Sequence, residues 1–326
     1  MIDVVFHGEN AATYLADFQA ALSCPARVRT VAHALDDPDD ARVFRDADVI
    51  VGNRLDASMP APRRARLYQV CAAGYDKIDV ARLPAGAAVC NCHGHEQAIA
   101  EYVMAAILNR RVPLAAAHDC LRRGEWRYRS GVPAALHGEA GEATLGLLGY
   151  GHIGRAIARR AKAFGMRVLA ANRSVVPVSG EVDAWMGLDA LEPFYRQADF
   201  IVVSLPLLPA TEGLVDAAAF ARMRPQAMLI NVGRGPVVDE RALYDALAGK
   251  RIAAAAIDTW YQYPARLDGQ GMPSRLPFEQ LNNIVMTPHM SAWTGGTIRR
   301  RAQLMAANVA ACAEGRPLAN VLRAGQ

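Results

Sequence analysis

The sequence predicts an α/β chain whose strands form two doubly wound parallel sheets with helices on both faces. Short apolar runs alternate with stretches of helical periodicity from one end of the chain to the other. At 326 residues, 52% hydrophobic and 21% charged, there is material for two cores. In the middle, from Leu145 to Arg173, a strand, a glycine turn, a helix and a second strand follow one another, the order that cradles a dinucleotide.

Taken in order, Ile2 to Phe6 reads as a strand, and Leu15, Phe18 and Leu22 mark the helix after it. Val28 to Ala32, Val49 to Val51, Leu67 to Ala72 and Ala88 to Asn91 are further strands between polar or helical stretches. The acidic run from Asp36 to Asp40 has Pro38 inside it and reads as the cap of a surface helix. Ile99, Val103 and Ile107 define a helix leaving this first domain. Pro113 breaks it, and a second helix runs to Gly124; the pair is expected to bridge the domains.

Thr144 to Leu148 suits a buried parallel strand and stops at Gly149-Tyr150-Gly151-His152-Ile153-Gly154, a G-x-G-x-x-G turn. Gly149 permits the tight turn, Gly151 lets the backbone approach a pyrophosphate, and Gly154 lets the next helix pack closely on the strand. Ile153, Ile157, Ala161 and Phe164 form that helix's apolar stripe, Gly165 ends it, and Met166 to Ala171 is the next strand. His152 is expected to contact phosphate through its backbone, with its ring in solvent. An acid normally follows the second strand and takes the ribose 2′-hydroxyl; here Asn172, Arg173 and Ser174 stand there. A neutral amide, a guanidinium and a hydroxyl can all face a 2′-phosphate, so NADP(H) is the expected cofactor and NAD(H) the alternative. The plain alternative for Arg173 is a solvated surface arginine.

Phe200 to Ser204, Ala227 to Asn231, Ile252 to Ile257 and Ile284 to Met286 follow as strands, with Asp239 capping a helix that ends at Gly249. This completes a Rossmann-like nucleotide domain. Ile298, Ala302, Met305, Val309 and Cys312 form a last stripe that needs a partner on the first domain or on a second subunit. Arg299, Arg300 and Arg301 are read as the wet face of the same helix.

A formal net charge of +4 with scattered arginines gives no reason to expect a nucleic acid partner, and no apolar window is long enough to expect a membrane span. The opening residues lack the basic and apolar regions of a secretory leader, so a cytoplasmic protein is expected. Cys24, Cys71, Cys90, Cys92, Cys120 and Cys312 read as reduced core thiols. Cys90-x-Cys92-His93-x-His95 lacks a second ligand pair at zinc spacing, and no metal is expected.

Further segments complete the pattern. They are Ala73-Gly74-Tyr75-Asp76-Lys77-Ile78-Asp79, the helix start Ala100-Glu101-Tyr102, Asn231-Val232-Gly233-Arg234-Gly235, Ile257-Asp258 and Thr287-Pro288-His289. With the glycine turn, and in this order, the chain resembles the D-isomer-specific 2-hydroxyacid dehydrogenase family, of the glyoxylate and hydroxypyruvate reductase kind, over nearly its whole length. The resemblance implies two Rossmann-like domains, the cofactor domain (99–288) inserted in a flavodoxin-like substrate domain (1–98 with 289–326), an active-site cleft between them, and a homodimer. It implies hydride transfer between NADP(H) and a small 2-keto or 2-hydroxy acid. Arg234 would bind the substrate carboxylate and carbonyl as a planar fork, and His289 would exchange the proton at the carbonyl oxygen. Backbone N–H groups around Ala73, Gly74 and Tyr75 would hold the carboxylate, and Asp258 would accept from the nicotinamide carboxamide. Leu205, Pro206 and Thr211 match the loop beside the adenosine; Val232, Gly233, His289 and Ala292 complete the cofactor contacts. A substrate contact from His93 or His95, and a pocket wall from Trp293, are weighed against simple packing.

One position departs from the family. A glutamate that pairs with the histidine usually lies five residues after the aspartate matched by Asp258, where this chain has Tyr263. Without a carboxylate, His289 is expected to stay near its reference pKa of about 6.5, so that reduction falls as pH climbs through about 6 to 7. Gln262 alternatively suggests the formate dehydrogenases of the same family, in which a glutamine takes the acid's role. A third reading is a nucleotide-sensing, corepressor-like relative with weakened chemistry.

Overall fold

The computed structural model describes residues 1–264 and 269–325. In chain order the elements are β1 (Ile2–His7), α1 (Gly8–Ala12), α2 (Leu15–Ala21), β2 (Ala26–Val31), α3 (Pro38–Arg45), β3 (Val49–Gly52), β4 (Leu67–Val70) and β5 (Ala88–Cys90). There follow α4 (Glu96–Arg111), α5 (Leu114–Arg122), β6 (Thr144–Leu148), α6 (His152–Ala163), β7 (Arg167–Ala171), β8 (Ala184–Met186), α7 (Glu192–Gln197) and β9 (Phe200–Val203). The chain continues with α8 (Ala217–Arg222), β10 (Met228–Asn231), α9 (Glu240–Ala248), β11 (Ala254–Ile257), β12 (Ile284–Met286), α10 (Gly295–Glu314) and β13 (Val321–Arg323). The expected strands are present, with ends moved by one or two residues. The short elements α1, α7, α8, β8 and β13 carry too little periodicity to be read from sequence.

The chain divides into two compact units, 1–94 with 293–326 and 95–292. Both boundaries lie four residues from the expected ones, at 94/95 rather than 98/99 and at 292/293 rather than 288/289. The shift has a physical cause at each end. The helix α4 already starts at Glu96, and the backbone N–H groups of Met290 and Ser291 are held by Asp258.

In the first unit the strand order is β13-β5-β4-β3-β1-β2, all parallel except β13, which runs antiparallel to β5. Without β13 this is the flavodoxin-like order. Residues of β3 and β4 are buried throughout; β3 reads as an apolar run, and β4 does so except for the buried Gln69. The acidic cap is as expected: Asp37 accepts from Asp39 N at 2.7 Å, and Pro38 opens α3. The stripe of α10 finds its partner in this unit, where Ala302, Met305, Val309 and Cys312 pack with Val4, Phe6 and Phe18. Arg301 is not on the wet face. It lies on the helix row of Thr297 and Met305, is 7% exposed, and donates to the backbone oxygen of Cys71 at 3.2 Å.

The second unit has the order β12-β11-β10-β9-β6-β7-β8, all parallel, and the direction of winding reverses between β6 and β9. Helix α4, expected as a bridge, belongs to this core: Val103, Met104 and Ile107 pack with Ile157 and Ala161 of α6. The α6 stripe ends at Ala161, because Phe164 is already the C-cap and is 46% exposed. Gly165, at φ +76°, makes the left-handed turn into β7. Among the described residues no helix is long and apolar enough to cross a membrane.

Candidate functional site

Residues at the strand ends of the second unit share one place. Gly149, Asn172, Ser204, Val232, Asp258 and Thr287 each directly follow the last residue of β6, β7, β9, β10, β11 and β12. They therefore line the carboxyl edge of the sheet, and β6 and β9 flank its switch point, where doubly wound sheets take their ligands.

The glycine turn tests whether a dinucleotide fits. Gly149 sits at φ +101°, and a Cβ there would lie 3.0 Å from Ser204 Oγ. A Cβ on Gly154 would fall 2.4 Å from the carbonyl oxygen of Gly149, so α6 can approach the turn only with glycine here. Among the described residues a Cβ at Gly151 would meet nothing within 4 Å, and no side chain caps the first turn of α6. Open space over backbone amides at a helix N-terminus suits a pyrophosphate. The side chain of His152 is 66% exposed, with Nδ1 3.9 Å from Glu96 Oε1. Beyond β7, Asn172 Oδ1 accepts from Tyr150 N at 3.4 Å and its Nδ2 donates to Ser174 O at 3.1 Å. Both Arg173 and Ser174 are exposed. The nearby acid Glu181 accepts from the Tyr150 hydroxyl at 3.1 Å and lies 3.9 Å from Arg159.

The loop after β9 closes on itself. Thr211 is 4% exposed; its Oγ1 donates to Pro206 O at 2.6 Å and accepts from Leu208 N at 2.9 Å. Leu205 is buried beside it, and a Cβ on Gly233 would lie 2.8 Å from the Leu205 carbonyl oxygen. On the other side of Arg234, a Cβ on Gly235 would lie 2.3 Å from the Trp260 carbonyl oxygen. Asn231 completes the clamp by accepting from Gly233 N and donating to Arg234 O, each at 3.1 Å. Arg234 is thus carried on a segment that two glycines and one amide hold against neighbouring backbone.

His289 stands on a turn of unusual geometry. Its φ is +57°, a left-handed conformation that costs a non-glycine residue on the order of 1–3 kcal/mol, and its N–H closes a γ-turn on Thr287 O at 3.0 Å. The fully buried carboxylate of Asp258 holds this turn. It accepts from Thr287 Oγ1 at 2.6 Å, Met290 N at 2.8 Å and Ser291 N at 3.0 Å. Tyr102 Oη lies 2.8 Å from Thr287 Oγ1, and the Trp260 indole N–H donates to Thr287 O at 2.8 Å. These supports were not singled out from sequence, although Tyr102 and Thr287 lie inside segments that were. The hydroxyl of Tyr263 lies 3.0 Å from Nδ1 of His289 and accepts from Trp260 N at 3.0 Å. Gln262 is exposed, and its backbone N–H donates to Pro273 O. Burial of the phenol raises its pKa, opposed by the Trp260 N–H and the charge of Arg234.

In the first unit, the segment Ala73-Gly74-Tyr75 follows β4. Asn91 Nδ2 donates to Ala73 O at 2.8 Å, Ile78 N donates to Tyr75 O at 3.0 Å, and the Tyr75 side chain is exposed. Trp293 packs edge-on against Tyr14, with ring centroids 6.2 Å apart, and stays half exposed. Cys90 and Cys92 are buried, and burial pushes their thiols up to about 11 and about 12, so they are neutral and poor metal ligands.

Comparison with known proteins agrees with this geometry. Residues 104–291 match the model of the D-isomer specific 2-hydroxyacid dehydrogenase NAD binding domain. The chain is 35% identical to a glyoxylate reductase of Aeropyrum pernix (85% of this chain, 83% of that one) and 33% identical to one of Thermococcus kodakarensis (83% and 81%). A solved D-isomer specific 2-hydroxyacid dehydrogenase from Xanthobacter autotrophicus, in complex with NADPH and MES, superposes with a TM-score of 0.79 at 26% identity, covering 99% of this chain and 98% of that one. The carboxyl-edge constellation and these likenesses make the chain a member of the D-isomer-specific 2-hydroxyacid dehydrogenase family, a hydride-transferring oxidoreductase with a nicotinamide cofactor.

Proposed function

We propose that this enzyme reduces a small 2-keto acid of the glyoxylate or hydroxypyruvate kind, with NADPH as the preferred hydride donor. The reductase reading rests on one observation: at the sheet's carboxyl edge a clamped arginine accompanies a histidine whose turn is held by a buried aspartate. Glyoxylate reductases among the relatives support the substrate class. The bound nicotinamide supplies the hydride. The forked guanidinium of Arg234 binds the substrate carboxylate and draws charge at the carbonyl oxygen, and His289 gives that oxygen a proton. Asp258, Thr287 and Trp260 keep the imidazole in place through the turn. The segment Ala73-Gly74-Tyr75 offers backbone N–H groups to a carboxylate. Because Tyr263 rather than Gln262 meets the histidine ring, the geometry favours a keto-acid reductase over the formate reading.

The cofactor preference rests on the absence of an acid directly after β7, where Asn172, Arg173 and Ser174 stand, and on the NADPH held by the Xanthobacter relative. A homodimer is proposed on the second unit, where Leu114, Leu121, Trp126 and Leu136 are 72%, 52%, 67% and 88% exposed, more apolar surface than a solitary chain usually shows in one stretch. The test is nicotinamide absorbance with a panel of 2-keto acids and with formate, under each cofactor. NADPH should bind about tenfold to a hundredfold more tightly than NADH, the worth of one charge-assisted contact, and Asn172→Asp with Arg173→Ala should reverse the order. Equal affinities in the wild type would remove the basis for the preference.

A further inference from the structure

The geometry points to Tyr263 as a positioning residue that keeps the proton of neutral His289 on Nε2 and passes its own phenolic proton to Nδ1 when Nε2 gives its proton away. This rests on the reductase reading above. A phenol oxygen has one hydrogen to give and lone pairs to accept. The backbone N–H of Trp260 can only donate, so at 3.0 Å it occupies an acceptor site on Tyr263 Oη. In the proposed arrangement the phenol's own hydrogen points at its other neighbour, Nδ1 of His289, also at 3.0 Å. The two rings are tilted by 51° with centroids 5.7 Å apart, so the hydroxyl rather than the π face meets the imidazole. A nitrogen that accepts carries no proton, which places the hydrogen of the neutral ring on Nε2.

The tyrosine therefore reverses the direction of a hydrogen bond. A carboxylate can only accept; it demands a proton on Nδ1 and stabilises the imidazolium. A phenol donates and stabilises the neutral ring. As hydride adds to the carbonyl carbon, the C=O π pair becomes an alkoxide pair, which takes the proton from Nε2. The Nδ1 lone pair takes the phenolic proton as the Oη–H bond breaks. A phenolate and a neutral ring with its proton on Nδ1 remain. The phenolate keeps the Trp260 N–H as donor, and among the described residues the charges acting on it are Arg234, which favours it, and Asp258, which opposes it. Three hydrogen bonds to the turn already engage Asp258, and Tyr102 faces the turn only through Thr287. Once product leaves, water protonates Nε2 and Nδ1 returns its proton to the phenolate, which restores the starting state.

Two measurements test this. The first needs no turnover: the ¹⁵N shifts of the His289 ring at about pH 8, where a free imidazole is neutral. Wild type should show the proton on Nε2, and Tyr263→Phe should lose that preference. A proton found on Nδ1 in the wild type overturns the proposal. The second is kcat/KM for keto-acid reduction against pH. A phenol titrates near 10 and an imidazolium near 6.5, so wild type should stay level to about pH 9, in place of the fall through about pH 6 to 7 expected from a merely neutral partner, while Tyr263→Phe falls about tenfold per unit above about pH 7. The two should differ by roughly a hundredfold at about pH 8.5 and converge near pH 6. A wild-type limb at pH 6 to 7 that Tyr263→Phe leaves unmoved also overturns it. If wild type reduces no acid in the panel, the reductase reading fails, and the ring shifts still decide the tautomer.

Discussion

Asp258→Asn exchanges one buried oxygen for an NH₂ group at almost constant volume. Oδ1 of the carboxylate accepts from Thr287 Oγ1 and Met290 N, and Oδ2 accepts from Ser291 N. An amide can keep its oxygen toward the first pair, but its NH₂ then faces the Ser291 N–H, donor against donor. Hydrogen bonds to a charged group contribute about 1.5–3 kcal/mol each, so losing one and weakening two costs about 2–4 kcal/mol. The left-handed φ of His289 sets on the order of 1–3 kcal/mol against the same turn. At about 1.4 kcal/mol per factor of ten, a loss of about 2–4 kcal/mol lowers the ratio of held to released turn by roughly thirtyfold to several hundredfold. The assay is kcat for keto-acid reduction at saturating cofactor, with circular dichroism to show that the protein is folded. The cofactor KM reports separately on the proposed contact between Asp258 and the carboxamide. A folded Asp258→Asn protein with wild-type kcat would refute the anchoring argument.

Arg234→Ala should raise KM and lower kcat together, because the fork acts on both ground and transition states, whereas His289→Ala should mainly lower kcat, by about 10²–10⁴. Steady-state kinetics separates the two, and a His289→Ala enzyme at the wild-type rate would exclude that histidine as the acid. Burial pushes Cys71 and Cys92 to about 12 and Cys90 to about 11 in the folded protein, above the roughly 8.5 of an unfolded thiol. Their contribution to stability is thus complete below about pH 8.5 and is lost as pH rises toward 12, which urea unfolding at stepped pH should show. A thiol reagent at neutral pH should react readily only at Cys24, the one cysteine that is not buried; rapid modification of all six would contradict the burial. Trp126→Glu should shift the protein from dimer to monomer in sedimentation, and an unchanged mass would take the dimer surface elsewhere.

The regular architecture was legible because doubly buried strands leave unbroken apolar runs and because Gly154 and Asp239 each have one physical reason to be where they are. The family resemblance picked out Arg234, Asp258 and His289, and position relative to strand ends brings them to one edge, since every one of them follows a strand directly or by a few residues. Direction was not legible. Nothing in the sequence says that Arg301 turns inward onto Cys71 O, because charge alone suggests water and only the helix row decides otherwise. The same holds for Tyr263: its place opposite His289 follows from the family resemblance, while the proposed direction of its hydrogen bond depends on Trp260 N. The domain boundary slipped for a related reason, since the backbone contacts from Met290 and Ser291 to Asp258 leave no trace in composition.

The route by which β13 reaches its sheet has a consequence for synthesis. The first unit's core lacks a wall until Met305, Val309 and Cys312 have been made, and its outer edge is closed only when Val321 pairs with Cys90. Gln69, in the middle of β4, waits for Asn308, whose side chain also grips both polar groups of Ala319. The inserted unit is continuous in sequence and needs none of these late residues. On the ribosome the middle of the chain can therefore fold first, while the residues made earliest stay unfinished until α10 and then β13 emerge. That order replaces a long flexible closure by a compact folded block, which lowers the entropic cost of joining the two chain ends. It also makes the earliest strands the ones that depend longest on protection from aggregation.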